Sequence, residues 1–284
     1  MMRRITVWAV LLATAGAAWG GTTIHVTNKW AWASGTGWLN CRTDTTNGVA
    51  VGEYWLSGYM YGSSVGWINM GGTNGPTNGY QYSNGSSADF GVNHDGRGHL
   101  TGYAWNESAG WINFGWTNNP DASTAPKLNL QSGIFTGYAW SSGLGWVSLS
   151  NISTRLQTVS LAAGMDRNSN GIPDAWEIRM VGNTNTLTST NRDDYIADTN
   201  PTNSQDQLEA TAFGGSGTNL SLTWASKKSR LYYIDMKTNL MVGAWQSNVL
   251  GPIVSATESN TVGVLSATGT QGFFRIRVGL PLSP

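Results

Sequence analysis

Residues 166–177 carry oxygen-bearing side chains at the spacing of a calcium-binding loop. They read DRNSNGIPDAWE, which fits D-x-[DN]-x-[DN]-G-x5-E at every fixed position. Oxygen atoms at alternate positions converge as such a loop curls, the glycine permits the sharp turn, and Ca²⁺ takes about six to eight oxygen ligands. We therefore predict Ca²⁺ as a cofactor. The predicted ligands are Asp166, Asn168, Asn170, the backbone carbonyl of Ile172, Asp174 and Glu177.

A single short helix is predicted to follow this loop, over residues 173–181. Pro173 suits its first turn, where a missing backbone N–H costs little. Residues 159–165 instead read as a strand and a linker. The segment is thus a loop followed by one helix, and not the helix–loop–helix pair of an intracellular sensor.

Residues 166 to about 204 resemble the calcium-binding segments, similar to thrombospondin type 3 repeats, of secreted bacterial surface proteins. The likeness rests on Pro-Asp-Ala-Trp-Glu at 173–177 and Asp-Thr-Asn-Pro at 198–201. The resemblance implies a second acidic loop, but residues 186–190 carry no carboxylate, so one ion and two ions both stay open. Four further side chains either complete the first site or cap a helix: Asn191, Asp194, Asp198 and Asn200.

Acids and histidines in the first half of the chain show no catalytic pattern. A glycosidase needs two carboxylates at a set separation, whereas Asp95 and Glu107 both fall in expected turns. His94 and His99 flank the Asp95 turn, where a weak metal pair and solvated turn residues are the two interpretations. We predict a non-catalytic protein. A divergent polysaccharide-degrading enzyme would require two acids to converge in a cleft.

A repeated aromatic motif organises the region before the loop. It reads GYAWNESAGWINF from Gly102 and GYAWSSGLGWVSL from Gly137, with looser copies from Gly58 and Lys29. Period-2 alternation on both sides of a polar turn predicts a hairpin in each copy. The Gly-Trp tryptophans at 38, 67, 111 and 146 are unevenly spaced. That favours an antiparallel sandwich or barrel-like domain over a regular solenoid.

The repeated aromatic side chains allow two interpretations. A buried ladder of rings can replace an aliphatic core, because each ring buries about 150–250 Å², and this is the favoured prediction. Alternatively some rings are exposed as platforms on which sugars stack. The candidate ligand-binding residues are Tyr103, Trp105, Trp111, Tyr138, Trp140 and Trp146.

The N-terminus and composition indicate an exported protein. Residues 1–20 contain Arg3 and Arg4, a short apolar run and small residues, as a secretory signal peptide does. No integral membrane segment is expected after its cleavage. The formal net charge of zero argues against a nucleic-acid partner. Cys41, the sole cysteine, is expected to be buried.

Alternating strands return after residue 220 and predict a small β-sandwich. Asn239, Trp245 and Phe273-Phe274-Arg275 give this region a resemblance to a C-terminal β-domain of exported bacterial proteins. The predicted organisation is a mainly β chain with a signal peptide (1–20), an aromatic β-repeat domain (21–160), a calcium-binding connector (165–205) and a C-terminal domain (206–284). The repeat motif is similar to repeats of predicted secreted bacterial proteins.

The function expected from this organisation is binding or adhesion at the cell surface or outside the cell. The partner would be an extracellular glycan or another surface protein, and the sequence leaves the oligomeric state open. A purely structural spacer, with every tryptophan buried, is the alternative.

Overall fold

The computed structural model describes residues 21–72, 75–76, 80–150, 155–216, 219–255, 260–266 and 272–282. The predicted signal peptide lies outside these residues. The described residues fall into two compact units: the first is 21–187 together with Leu282, and the second is 188–281.

The first unit consists of short strands and one helix. In chain order its elements are β1 (Ile24–Ala33), β2 (Gly37–Asn40), β3 (Ala50–Val51), β4 (Trp55–Ser57), β5 (Tyr59–Gly62), β6 (Gly66–Asn69), β7 (Val92–His94), β8 (Leu100–Asn106), β9 (Gly110–Asn113), β10 (Lys127–Leu128), β11 (Phe135–Thr136), β12 (Tyr138–Ser141), β13 (Gly145–Ser148), β14 (Leu156–Thr158) and α1 (Asp174–Val181).

Eight of these strands close into an antiparallel barrel built from four hairpins. The hairpins are β1–β2, β5–β6, β8–β9 and β12–β13. Strand β2 pairs with β5, β6 with β8, β9 with β12, and β13 returns to β1. Of the two architectures expected from the sequence, the chain adopts the barrel.

Small and aliphatic side chains fill the barrel. In the third hairpin, Ala104 lies directly opposite Ile112, and both are fully buried. An eight-stranded barrel is just wide enough inside for side chains to fill it, which leaves little room for large rings. The equivalent interior pairs of the other hairpins are Ala31 with Leu39, Met60 with Ile68, and Ala139 with Val147.

Two glycines of the motif are needed for different reasons. Gly110, in the hairpin turn, has φ of 75° and open space around it. Gly137, at the entrance to β12, has φ of 79°, and a Cβ there would collide with the carbonyl oxygen of Ala125. Gly110 is thus needed because its backbone has a positive φ angle. Gly137 is needed for the same reason and also because neighbouring backbone leaves no room for a Cβ atom.

The residue after each hairpin's second strand is buried and held by the backbone. The amide of Cys41 donates to the carbonyl of Lys29. In the other three hairpins the acceptor is the carbonyl of the glycine that begins the motif: Met70 donates to Gly58, Phe114 to Gly102, and Leu149 to Gly137. Cys41 is free and fully buried, as expected, and burial raises the pKa of its thiol to about 12.

Helix α1 matches the helix predicted after the loop. Pro173 precedes it, and Gly182 ends it with φ of 78° and an amide that donates to the carbonyl of Ile178. This left-handed C-terminal glycine satisfies a carbonyl that the helix would otherwise leave without a partner.

The second unit contains a 3-10 turn, Ser189–Asn191, one short helix and two sheets. Its other elements are α2 (Arg192–Ala197), β15 (Ala210–Ser216), β16 (Asn219–Ala225), β17 (Leu231–Lys237), β18 (Ile253–Val254), β19 (Asn260–Ser266) and β20 (Phe273–Gly279). Strands β15, β16 and β19 form one sheet, and β18, β17 and β20 form the other. Buried residues of both sheets, including Trp224 and Ile276, belong to one apolar cluster.

Candidate binding surface and metal loop

The aromatic side chains of the four hairpins lie on the outside of the barrel. Three rings stand on each hairpin, and ten of these twelve are 37–51% exposed. The favoured prediction of a buried aromatic ladder is therefore wrong, because the narrow barrel interior holds the residues that alternate with the rings. We call the twelve rings the aromatic girdle. They are Trp30, Trp32, Trp38, Tyr59, Tyr61, Trp67, Tyr103, Trp105, Trp111, Tyr138, Trp140 and Trp146.

Rings of the girdle contact one another edge to face. In the third hairpin, Trp111 lies 4.7 Å from Trp105 and 5.9 Å from Tyr103, centroid to centroid, with interplanar angles of 61° and 70°. The Phe90 ring also meets Trp111, at 5.0 Å. Such T-shaped contacts are attractive and favour particular ring orientations.

All six residues predicted to bind a ligand belong to the girdle, on its third and fourth hairpins. Each is between 37% and 45% exposed. The prediction omitted the equivalent rings of the first two hairpins, although the repeat itself identifies them. Trp116, outside the barrel strands, packs on Trp146 at 4.9 Å and donates its indole N–H to the carbonyl of Tyr138 at 2.6 Å.

The girdle carries almost no charge. Across the eight barrel strands, Lys29 is the only Lys, Arg, Asp or Glu side chain. Its ammonium lies 5.6 Å from the ring of Trp30. A neutral aromatic surface does not attract phosphate backbones and suits an uncharged partner with apolar faces.

The predicted calcium loop folds back on itself through its own side chains. The Asp166 carboxylate accepts hydrogen bonds from the amides of Asn170 and Gly171, at 3.2 and 2.9 Å. The side-chain amides of Asn168 and Asn170 donate to opposite oxygens of Glu177, at 3.5 and 2.9 Å. Glu177 therefore lies within hydrogen-bond distance of two other predicted ligands, Asn168 and Asn170.

The Glu177 side chain is fully buried in this cluster. Burial raises its pKa above the ordinary value, hydrogen bonds from Asn170 and Asn168 oppose that shift, and the negative charges of Asp174 and Asp166 add to it. A buried carboxylate near other negative charges is costly unless it is paired or hydrogen-bonded. Carboxylate and carbonyl oxygens are the ligands that Ca²⁺ prefers.

Two predicted ligands have further roles. Ile172 is fully buried, and its amide donates to Asn170 at 2.8 Å. The Asp174 carboxylate accepts from the backbone amide and the guanidinium of Arg167, at 2.9 and 2.8 Å. Asp174 is thus engaged by a cation of the chain itself, which suits a charge-balancing role beside the loop.

The four weaker candidates lie in the second unit, around α2. Asn191 ends the 3-10 turn, and Asp194, within the helix, accepts from the Thr199 hydroxyl at 3.2 Å. Asp198 ends α2 in the left-handed conformation. Asn200 accepts from the Thr202 amide and hydroxyl, at 2.9 and 2.8 Å. These contacts are those of helix and turn capping.

The two histidines around Asp95 do not form a pair. His94 is fully buried and contacts the carbonyl of Gly52 at 3.0 Å, and burial lowers its pKa. His99 instead meets the carboxylates of Asp95 and Asp121, at 2.8 and 3.3 Å. The expectation of solvated histidines is wrong for His94. Within the described residues, no three His, Cys, Asp or Glu side chains are placed to hold a metal ion. The predicted ligands of the loop include two side-chain amides, those of Asn168 and Asn170.

The fold and its surfaces define a closed antiparallel barrel with an outward aromatic girdle, joined to a second β-rich unit. No protein-family model, curated protein or solved structure matches the chain. No helix in the described part of the chain has the length and apolar character needed to cross a membrane.

Proposed function

We propose that the protein is an exported, calcium-stabilised binding protein whose aromatic girdle holds an extracellular glycan. One observation carries this proposal: the aromatic side chains of the four hairpins stand on the outside of a barrel whose interior is filled by smaller side chains. Contiguous apolar surface of this kind marks interaction sites. Without a binding partner, so many exposed tryptophans would favour aggregation.

Glycan suits the girdle because a pyranose ring has apolar C–H faces and polar edges. The faces stack on tryptophan and tyrosine, and the edges need hydrogen-bonding groups nearby. The scarcity of charge on the barrel strands, where Lys29 is the single charged side chain, favours a neutral polymer. A purely structural spacer, the alternative, does not need exposed rings, and a polysaccharide-degrading enzyme would need a pair of acids among them.

We propose that residues 166–177 bind one Ca²⁺ ion through Asp166, Asn168, Asn170, Ile172 and Glu177. Such an ion would neutralise the buried Glu177 and fix the segment that leaves the barrel. The proposal also includes export through residues 1–20, a thrombospondin type 3-like connector, and a β-sandwich made by the two sheets of the second unit. Their shared apolar cluster supports the sandwich.

Retention on polysaccharide tests the binding proposal. The purified protein, with Ca²⁺, is incubated with insoluble β-1,4-glucan, chitin and α-1,4-glucan, and the bound fraction is measured. We expect binding to at least one polymer and a loss of about tenfold or more in Trp140→Ala/Trp146→Ala. Trp245→Ala is the matched control, since it removes a tryptophan of the second unit. Absence of binding by the unmodified protein, or equal binding by the girdle variant, would refute the proposal.

A further inference from the structure

We infer that the girdle contains repeated sugar subsites at the seams between neighbouring hairpins, each formed by an asparagine between two aromatic rings. This inference rests on the proposed glycan-binding function and identifies where and how the sugar would bind. Three seams have the complete set of residues. The fourth seam, between β13 and β1, lacks the asparagine.

Strand register places each asparagine between two rings. Asn113 is directly opposite Tyr103 within its own hairpin and directly opposite Trp140 of the next hairpin. Residues in register across neighbouring strands point to the same side of the sheet, so all three face outward. The other complete seams are Tyr59, Asn69 and Trp105, and Trp30, Asn40 and Tyr61.

A backbone hydrogen bond fixes the orientation of each asparagine. The amide of the residue two positions on donates to the side-chain oxygen: Arg42 to Asn40 at 3.0 Å, Gly71 to Asn69 at 2.9 Å, and Gly115 to Asn113 at 2.7 Å. A backbone N–H can donate only to the oxygen, so the NH₂ group is directed elsewhere. In the described part of the chain, no group accepts from these three NH₂ groups.

Each complete seam therefore offers two aromatic rings and an oriented donor of two hydrogen bonds. The rings suit the C–H face of a hexopyranose, and the NH₂ group suits a hydroxyl or ring oxygen at its edge. Because Lys29 is the only charge on the barrel strands, the sugar is expected to be neutral. A second copy of the chain is the competing occupant, and the oligomeric state measured in the test distinguishes it from sugar.

The fourth seam is a natural comparison. Ser148 lies opposite both Tyr138 and Trp32, so the rings are in place. Its hydroxyl already donates to the carbonyl of Ser150 at 2.7 Å. This seam has rings without a free donor and should bind sugar more weakly.

Three seams on one barrel allow one polymer chain, or several, to be held at more than one point. Linked subsites raise the apparent affinity well above that of one subsite. We therefore expect tighter binding to a polysaccharide than to a short oligosaccharide.

The test compares seam variants with a ring variant, using the same protein and Ca²⁺ throughout. The probes are hexasaccharides of β-1,4-glucose, β-1,4-N-acetylglucosamine and α-1,4-glucose, measured by calorimetry, with sedimentation to record the oligomeric state. Asn113→Ser gives its seam the residue of the fourth seam. We expect it to weaken binding about three- to tenfold, the effect of one or two hydrogen bonds.

The triple variant Asn40→Ser/Asn69→Ser/Asn113→Ser should weaken hexasaccharide binding about three- to tenfold at every seam, to the level of the fourth seam, with Glu107→Gln as an unaffected surface control. If the triple variant binds like the unmodified protein while Trp140→Ala does not, the seam inference is overturned and glycan binding stands. If the unmodified protein binds none of the probes or polymers, both fail. If it dimerises, and Trp140→Ala prevents this, the girdle is an interface between copies and the inference is also overturned.

Discussion

Tyr61 and Trp67 face each other across the second hairpin, with ring centroids 5.0 Å apart and planes inclined by 64°. Directly beneath them, inside the barrel, lie Met60 and Ile68, both almost completely buried. Neighbouring residues of the same strands thus have opposite environments, and the larger side chains have the more exposed one. Size and hydrophobicity alone would have reversed this arrangement.

Truncation on the two faces of this hairpin should have unequal costs. Trp67→Ala removes a ring that is 51% exposed and should lower the free energy of unfolding by about 1–2 kcal/mol, mostly through lost ring contacts. Ile68→Ala opens a cavity inside the barrel and should cost about 2–5 kcal/mol. Urea denaturation of both variants in Ca²⁺ measures the difference. An equal or larger loss in Trp67→Ala would mean that the girdle is part of the folding core.

Alanine at two glycines of the motif should separate backbone conformation from close packing. Gly110→Ala should cost about 1–2 kcal/mol, the penalty of a left-handed alanine. Gly137→Ala carries the same penalty and also forces its Cβ against the carbonyl of Ala125, so it should cost about 1–3 kcal/mol more. Both variants make the same substitution at a glycine of similar φ, so Gly110→Ala is the control for the backbone penalty in Gly137→Ala. Equal unfolding free energies would contradict the close approach at Gly137.

The strands were predictable from the sequence, but the face they bury was not. Alternation in Tyr103-Ala104-Trp105 defines two faces, and a hydrophobicity argument assigns the rings to the core. Closure decides otherwise, because β13 pairs with β1 and the interior of the closed barrel is filled by the residues that alternate with the rings. That pairing joins Ala33 to Val147, residues far apart in sequence, and no local pattern encodes it.

The contacts within residues 166–177 have the opposite kind of signal, a local one. Asn170 and Glu177 lie in one short segment, and the curl of that segment brings their side chains within 2.9 Å. The carbonyl groups beyond residue 177 that accept hydrogen bonds from the loop asparagines were not predictable. The side-chain amide of Asn170 also donates to the carbonyl of Leu187, at 3.2 Å, and a backbone carbonyl carries no sequence signal. The seam asparagines did have a signal, since Asn follows the Gly-Trp tryptophan by two residues in three of the motifs.

Burial of Cys41 predicts an unreactive thiol. Because burial raises its pKa to about 12, the thiolate that reacts with disulfide reagents is scarce at pH 8. We expect no labelling by such a reagent in the native state and stoichiometric labelling in denaturant. The labelling rate should follow the unfolding equilibrium as urea is added. Immediate labelling in buffer would show that Cys41 is accessible.

Glu177 should make the stability of the calcium-free protein depend on pH. Its pKa in the folded state is raised, first by burial, so folding favours the protonated carboxyl. The associated stability is fully present below the unfolded pKa and is lost as the pH rises through the raised folded pKa. In chelator at pH 7, Glu177→Gln should therefore melt at a higher temperature than the unmodified protein, and the difference should shrink towards pH 4.

Calcium should reverse the order of these two proteins. A bound ion removes the penalty on the Glu177 charge and stabilises only the folded state, by an amount that grows with its concentration. Glutamine cannot supply a bidentate carboxylate, so Glu177→Gln should gain little in saturating Ca²⁺, while the unmodified protein gains several degrees. Glu107→Gln, an exposed turn residue, is the control and should follow the unmodified protein in both buffers. Identical melting of all three proteins with and without Ca²⁺ would exclude the metal site, whereas a Ca²⁺ gain that survives Glu177→Gln would place the ion elsewhere in the chain.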